Sequence, residues 1–312
     1  MGESYIVHLA EPRGFCAGVE RAIDTVKKSL EKYREPIFVL HEIVHNKHVI
    51  DELRDRGAIF VEHLTQIPRG EICIFSAHGV SADVESYAEQ LGLYTIDATC
   101  PLVTSVHRMV EKYHRDDYDI LIIGHHNHPE VLGTAGRVKD KVQVVATREE
   151  AELVEPVDPS KVGYVTQTTL TQVDIAEIVA VLQKRFPKIK GPSSNICFAT
   201  QNRQDAVTVL AEKSEVVFVV GSKNSSNSNR LKEVAERCNV AAHLIDDYRD
   251  IDRSWLENVR HIGITAGASA PERLVAGVLD WLRSFSRIEV RTDRGVKENI
   301  HFPAQILPEI ER

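Results

Sequence analysis

Cys16, Cys100 and Cys197 are the residues whose placement most directly suggests chemistry. Each follows a strand-like segment ("YIVHLA", "YTIDA" and "IKGPSSNI") and precedes a helical stretch. A helix start offers unpaired N–H groups and positive partial charge, which favour a thiolate. Thiolate is the form that binds metal. Cys73, within "EICIF", and Cys238, within "VAERCNV", read instead as buried apolar residues. The spacing is neither the compact cysteine run of a ferredoxin nor the paired Cys-x-x-Cys of a zinc ribbon. It leaves two metals open. One is a 4Fe–4S cubane with three protein ligands and one open iron; the other is zinc held by three cysteines and water.

Two further sets of polar residues keep step with the cysteines. From Cys16 to His45 is 29 residues, from Cys100 to His128 is 28, and from Cys197 to Ser225 is 28. His78, Thr168 and Ser269 lie in a second set of loops, 62, 68 and 72 residues beyond the same cysteines. The drift fits insertions in intervening surface loops. These loops hold few Lys or Arg but many neutral or switchable donors: His45, His78, Ser225, Ser226, Asn227 and Ser269. With helix N-termini behind them, such donors suit a phosphate or diphosphate. Singly, each Ser, Asn or Thr reads equally well as a helix cap. Glu130, in "GHHNHPEV", and Thr168 could form a carboxylate–hydroxyl proton relay. His125 and His126 are rivals to His128 in that loop.

The elements that must position these residues form a threefold repeat. Helical stripes follow each cysteine: Val19, Ala22, Ile23, Val26, Leu30 and Tyr33; then Val103, Val106, Val110 and Tyr113; then Ala206, Val209 and Leu210. Next come the β-branched strands "PIFVL", "DILIIG" and "VVFVVG", and later "EICIFSA", "KVGYVTQ" and "HIGITAG". This alternation predicts an α/β fold of three similar small units with mostly parallel sheets. The expected boundaries are 17–99, 100–196, and 1–16 with 197–286, followed by a tail over 287–312. Ligands of parallel sheets sit beyond the strands' carboxyl ends. A pseudo-threefold arrangement with those ends inward would therefore gather the cysteines and polar loops about one central cluster.

Composition bounds the rest. The chain of 312 residues is 43% hydrophobic and 27% charged, as a globular protein with a core should be. No apolar run is long enough to span a bilayer, and the start carries no secretory pattern. A cytoplasmic protein without membrane contact is expected. The formal net charge of −8 argues against a nucleic-acid binder, and five cysteines in such a chain are no disulfide framework.

The motifs "PRGFCAGVERAI", "HEIVHN", "FSAHGVS", "DATCPLV", "GHHNHPEV", "VTQTTL", "VVGSKNSSNSNRL" and "GITAGASAP" resemble those of the 4-hydroxy-3-methylbut-2-enyl diphosphate reductases. These enzymes end the methylerythritol phosphate route to isoprenoids. The resemblance runs over residues 11 to 285 in order. It implies one 4Fe–4S cluster on Cys16, Cys100 and Cys197. It implies that His45, His78, Ser225, Asn227 and Ser269 hold the substrate diphosphate, with His128 and Ser226 lining the pocket. Glu130 becomes the proton donor, working with Thr168. Leu132 departs from the pattern, since relatives often carry an acidic residue there.

The reaction so implied is a two-electron, two-proton reductive dehydroxylation yielding isopentenyl and dimethylallyl diphosphates. The open iron is expected to bind the leaving hydroxyl as a Lewis acid, with a flavodoxin or ferredoxin supplying electrons. The rivals are a quinolinate-synthase-like lyase, which would want more Arg or Lys in these loops, a non-enzymatic iron–sulfur sensor, and a zinc hydrolase.

Overall fold

A computed structural model describes residues 4–307, apart from 34, 195 and 293. The first three residues and the last five of the expected tail lie outside it. The chain opens on strand β1 (Ser4–Leu9) and then runs through three rounds of one plan. The first comprises α1 (Ala17–Tyr33), β2 (Ile37–Leu40), α2 (Lys47–Asp55), β3 (Ala58–Val61), β4 (Ile72–Phe75), α3 (Ala82–Gln90) and β5 (Tyr94–Asp97). The second comprises α4 (Pro101–Arg115), β6 (Asp119–Ile123), α5 (Pro129–Ala135), β7 (Val142–Val145), α6 (Arg148–Leu153), β8 (Val162–Thr166) and α7 (Gln172–Arg185). The third comprises α8 (Phe198–Ala211), β9 (Val216–Val220), α9 (Ser226–Arg237), β10 (Ala241–Ile245), β11 (His261–Ala266), α10 (Glu272–Arg283) and β12 (Arg287–Thr292).

The strands form three parallel sheets, in the orders β3-β2-β4-β5, β7-β6-β8 and β10-β9-β11-β1-β12. One plan underlies all three: the strand leading to the next cysteine lies outside the strand that bears the second polar loop. β5 does this for Cys100, and β1 does it for Cys16. In the remaining sheet the expected strand over 189–196 is reduced, among the described residues, to a single bridge, Gly163 to Lys190. Gly191 and Pro192 follow at once, and proline can donate no ladder hydrogen bond.

By contact the chain divides into two compact units. One, made of Met1–Ala17, His45–Val49 and Phe198–Ile300, holds the five-stranded sheet. β9 is buried on both faces, as central parallel strands are. Phe218 and Val220 face Val275, Val278 and Leu282 of α10, whereas Val217 and Val219 face Val207, Leu210 and Leu231 of α8 and α9. The helical stripe after Cys197 needs correction here. Val209 is 42% exposed and Val207 takes the core position, because short apolar stretches fit more than one helical phase. The segment from 287, expected to be tail, begins with β12, which pairs along all six residues of β1.

The other unit comprises Gly18–Val44, Ile50–Cys197 and His301–Arg312, and holds the two smaller sheets. Cys73 is in its core beside Phe38, Leu40 and Phe75, and burial pushes its thiol up to about 12. This matches its reading as a structural residue. Cys238 does not share that setting. It caps the end of α9 and is partly exposed. Within this unit the chain's last described residues run along α1. Arg21 Nε donates to Pro303 O (3.1 Å), Gln305 N to Thr25 Oγ1 (3.0 Å), and Tyr33 OH to Leu307 O (2.8 Å).

Candidate active site

The three cysteines form no disulfide, are partly exposed, and each is immediately followed by a helix: α1, α4 and α8. Cys100 is the N-cap of α4, with Pro101 at the first helical position, where its missing N–H costs nothing. Each cysteine is also anchored in one way. Cys16 N donates to Ala268 O (3.1 Å), Cys100 N to Ala77 O (3.0 Å), and Cys197 N to Thr168 O (3.4 Å). The acceptors lie two residues beyond β11, β4 and β8 respectively. Each cysteine turn is therefore tied to the second polar loop of the preceding sheet.

These anchors refine the register of the repeat. Counting from the cysteines aligns Thr168 with His78 and Ser269. Counting from the strand ends aligns Thr168 with Ala77 and Ala268, and Thr169 with His78 and Ser269. Offsets that accumulate loop insertions cannot place a residue to the nearest position. The first polar loop needs no such change: His45, His128 and Ser225 each stand five residues beyond β2, β6 and β9.

In the unit with the five-stranded sheet, the loops gather around the N-terminus of α9. Ser225 caps this helix, its Oγ accepting from Ser228 N (3.3 Å), and Ser226 begins it. Asn227 Oδ1 accepts from Ala268 N (2.9 Å), while its buried Nδ2 has no hydrogen-bond partner among the described residues. Ser269 Oγ donates to His45 O (2.9 Å), and Asn224 Nδ2 lies 3.5 Å from His45 Nδ1. Gly221 and Gly267 make the close approach, since a Cβ on either would strike Ser228 Oγ. His45, Ser225, Ser226, Asn227 and Ser269 are thus brought together. A buried amide donor beside an open helix start, in a loop set without a carboxylate among those five, suits an anion.

In the other unit, Glu130 is buried in the first turn of α5, only 3% exposed. Both of its oxygens are held by one residue: Thr168 N donates to Oε1 (2.6 Å) and Thr168 Oγ1 to Oε2 (2.8 Å). His128 caps α5, its Nδ1 accepting from Glu130 N (3.2 Å). The His128 ring meets the His78 ring edge-on, with centroids 5.8 Å apart. His78, His128, Glu130 and Thr168 are therefore contiguous. Thr168 is the junction, since its carbonyl also receives Cys197 N.

The rival histidines are otherwise engaged. His125 N and Nδ1 both lie near Gln167 Oε1 (3.0 and 3.1 Å), and His126 pairs with Glu150 near the surface (2.9 Å). Leu132, the departure noted above, is 56% exposed on α5. The Glu130 carboxyl group is held by Thr168, and its backbone N–H donates to His128 Nδ1, so neither contact involves Leu132.

Two arginines escaped the sequence reading. Arg203, 1% exposed on α8, donates to Gly14 O and Phe15 O (both 3.0 Å), fixing the turn before Cys16, and pairs with Glu298 (3.1 Å). Arg21 on α1 donates to Thr99 O (2.6 Å) and Asp97 O (3.3 Å), fixing the turn before Cys100. The available signal was a charged residue among the apolar positions of each helix, in "VERAI" and "NRQDAV".

A sequence model of the LytB protein family matches residues 7–283, from β1 to the end of α10. The chain belongs to the LytB protein family. A relative from Desulfotalea psychrophila, named 4-hydroxy-3-methylbut-2-enyl diphosphate reductase, is 60% identical over 96% of each chain. One from Azoarcus sp. with the same name is 53% identical over 95% of each. Among solved structures, a diphosphate reductase from Plasmodium falciparum matches with a TM-score of 0.90 at 38% identity, covering 96% of each chain. These LytB relatives are named as reductases, not as lyases, sensors or hydrolases. In this LytB chain no helix among the described residues is long and apolar enough to cross a membrane.

The cysteines have the donor chemistry that an iron–sulfur cluster requires. Among the described residues no three His, Cys, Asp or Glu side chains form a group that could hold a metal ion. In a cubane each thiolate binds a different iron, and three cysteines at three helix starts can supply those thiolates.

Proposed function

We propose that this chain reduces 4-hydroxy-3-methylbut-2-enyl diphosphate to isopentenyl and dimethylallyl diphosphates, with Cys16, Cys100 and Cys197 holding one 4Fe–4S cluster. The observation that carries the proposal is the double hydrogen bond from Thr168 to buried Glu130, on the same residue that anchors the Cys197 turn. A proton-handling carboxylate is thereby linked through two backbone groups to a cluster ligand, in a chain whose relatives are named for this reduction.

When bound, such a cluster supplies electrons one at a time and has one iron without a protein ligand. The remaining work falls to the chain. Asn227 Nδ2, the start of α9, and His45, His78, Ser225 and Ser269 bind the diphosphate, with His128 and Ser226 lining the pocket. Holding both phosphates restricts the carbon chain and lowers the entropic part of the barrier. The substrate's C–O bond breaks, two electrons and two protons are taken up, and the oxygen leaves as water. Glu130 delivers the proton that makes water the leaving group, and Thr168 Oγ1 keeps that carboxyl group oriented. A flavodoxin or ferredoxin in the cytoplasm is the electron source that fits this chemistry.

The test is anaerobic turnover of the hydroxylated butenyl diphosphate with a chemical reductant, followed by product identification. Both isomeric diphosphates should appear with the wild-type chain. Intact substrate, from protein carrying a full iron complement, would reject the reaction.

A further inference from the structure

The turn that carries His78 is gripped from two sides by groups outside the donor set. His78 is followed by Gly79, whose φ of +77° is a left-handed conformation natural to glycine. On one side stands His107 of α4. A Cβ on Gly79 would lie 2.6 Å from His107 Cε1 and 3.1 Å from Nε2, so the ring rests directly on the Gly79 backbone. On the other side is Gly133 of α5. A Cβ there would lie 2.9 Å from Gly79 O and 3.3 Å from Val80 N. The turn is thus clamped between the helix capped by Cys100 and the helix capped by His128.

His107 is an unusual residue for such a place. It is 6% exposed and shares the buried face of α4 with Val103 and Val110. Its Nε2 is buried with no hydrogen-bond partner among the described residues. It borders a polar cavity of about 170 Å³, whose walls include Thr99, Thr104 and Arg137. Burial foremost, and then the charge of Arg137, pushes the ring's pKa down to about 4, so it is neutral near pH 7. A group with an unmet polar atom in a packed interior calls for an explanation beyond filling space.

We propose that His107 is a positioning residue for the reaction: its flat, buried ring holds the Gly79 turn against α5 and so aims His78 beside His128. This rests on the proposed reading of His78 as a diphosphate-holding residue. The ring fits where a branched side chain would push on the Gly79 backbone, and a smaller one would let the turn relax. A ring in direct contact with the Gly79 backbone passes such a shift on to the turn.

The experiment compares His107→Leu and His107→Phe, each alone and combined with His78→Ala, in iron-loaded protein. The readouts are KM and kcat with the allylic diphosphate, and calorimetric binding of inorganic diphosphate. His107→Leu should raise KM and weaken binding by about tenfold while kcat stays within about threefold; His107→Phe, which keeps a flat ring, should stay near wild type. In the His78→Ala background, His107→Leu should add nothing, because both changes act on one group. Additive effects, or a Leu variant with wild-type KM, would overturn the inference. If His78→Ala itself leaves diphosphate binding intact, the reading of His78 fails instead. Should His107→Leu not fold, His107→Ala, which removes atoms without redirecting them, carries the same prediction.

Discussion

At the scale of single residues, the proposed chemistry rests on Glu130 and Thr168. Two hydrogen bonds from one partner give the carboxylate a single orientation, and Glu130→Gln keeps that shape while removing the acid. Turnover by Glu130→Gln should fall by ~100-fold or more, with KM within about threefold, in steady-state assays. A proportionate rise in KM would mean that Glu130 binds substrate and does not protonate it. Cys73 makes a quieter prediction. Its thiol, raised to about 12, stays protonated near pH 8, so iodoacetamide should leave it unmodified in the folded chain. Mass spectrometry of peptides from the denatured protein should show it alkylated. His107 adds a pH signature. Its folded pKa, about 4, lies below the unfolded value, so between about pH 6.5 and 4 the unfolded chain binds the extra proton. Stability should therefore fall as pH drops through this window, by up to about 1.4 kcal/mol per pH unit, and be flat above it. Denaturant melts of wild type and His107→Phe across pH 5 to 7 should differ in slope accordingly.

At the scale of elements, the helix starts serve as platforms and two arginines brace the turns that reach them. Arg203 is buried and meets three backbone carbonyls, of Gly14, Phe15 and Ala199, as well as Glu298. Arg203→Met would strand those acceptors and a largely buried carboxylate, at a cost of about 3 kcal/mol. The expected result is a lower thermal midpoint together with a loss of bound iron, read by absorbance and iron analysis. A destabilised protein with full iron would show that the Cys16 turn does not need this brace. The three rounds of α/β were legible because "DILIIG" and "VVFVVG" are too apolar for any place but a doubly covered strand. The stretch "IKGPSSNI" was not, because a strand's existence there depended on a neighbour, β8, and on Gly191 and Pro192 ending the pairing after one bridge. Val209 failed for a similar reason: over so short a stretch, a helical stripe has more than one consistent phase.

At the scale of the whole molecule, one plan repeated three times is divided between two compact units. The polar loops around α9 and the Glu130–Thr168 pair fall in different units, and Cys16 is assigned to a different unit from Cys100 and Cys197. The C-terminal segment matters to the second unit. Arg21, Lys32 and Tyr33 of α1 all donate to carbonyls of residues 303 and 307. Removing residues 301–312 should therefore loosen α1 and leave β9 untouched. Hydrogen exchange should report lost protection over Ala17–Tyr33 and unchanged protection over Val216–Val220. Equal loss in both segments would show that the tail stabilises the fold globally.

Much about this protein follows from the sequence alone. Cys16, Cys100 and Cys197, the loops at His45, His128 and Ser225, and the α/β alternation are local patterns, and local patterns survive in a linear reading. The family likeness followed from the same motifs. The tertiary structure decided what depends on partners distant in the chain. It tied each cysteine to the loop of the preceding sheet, set Thr168 level with Ala77 and Ala268, and turned 287–292 into a strand against β1. It also gave Arg21, Arg203 and His107 their positions, which their own neighbours in sequence do not explain. The physical reason is common to all of these: a hydrogen-bond acceptor or a packing surface supplied from far along the chain has no signature at the residue that uses it.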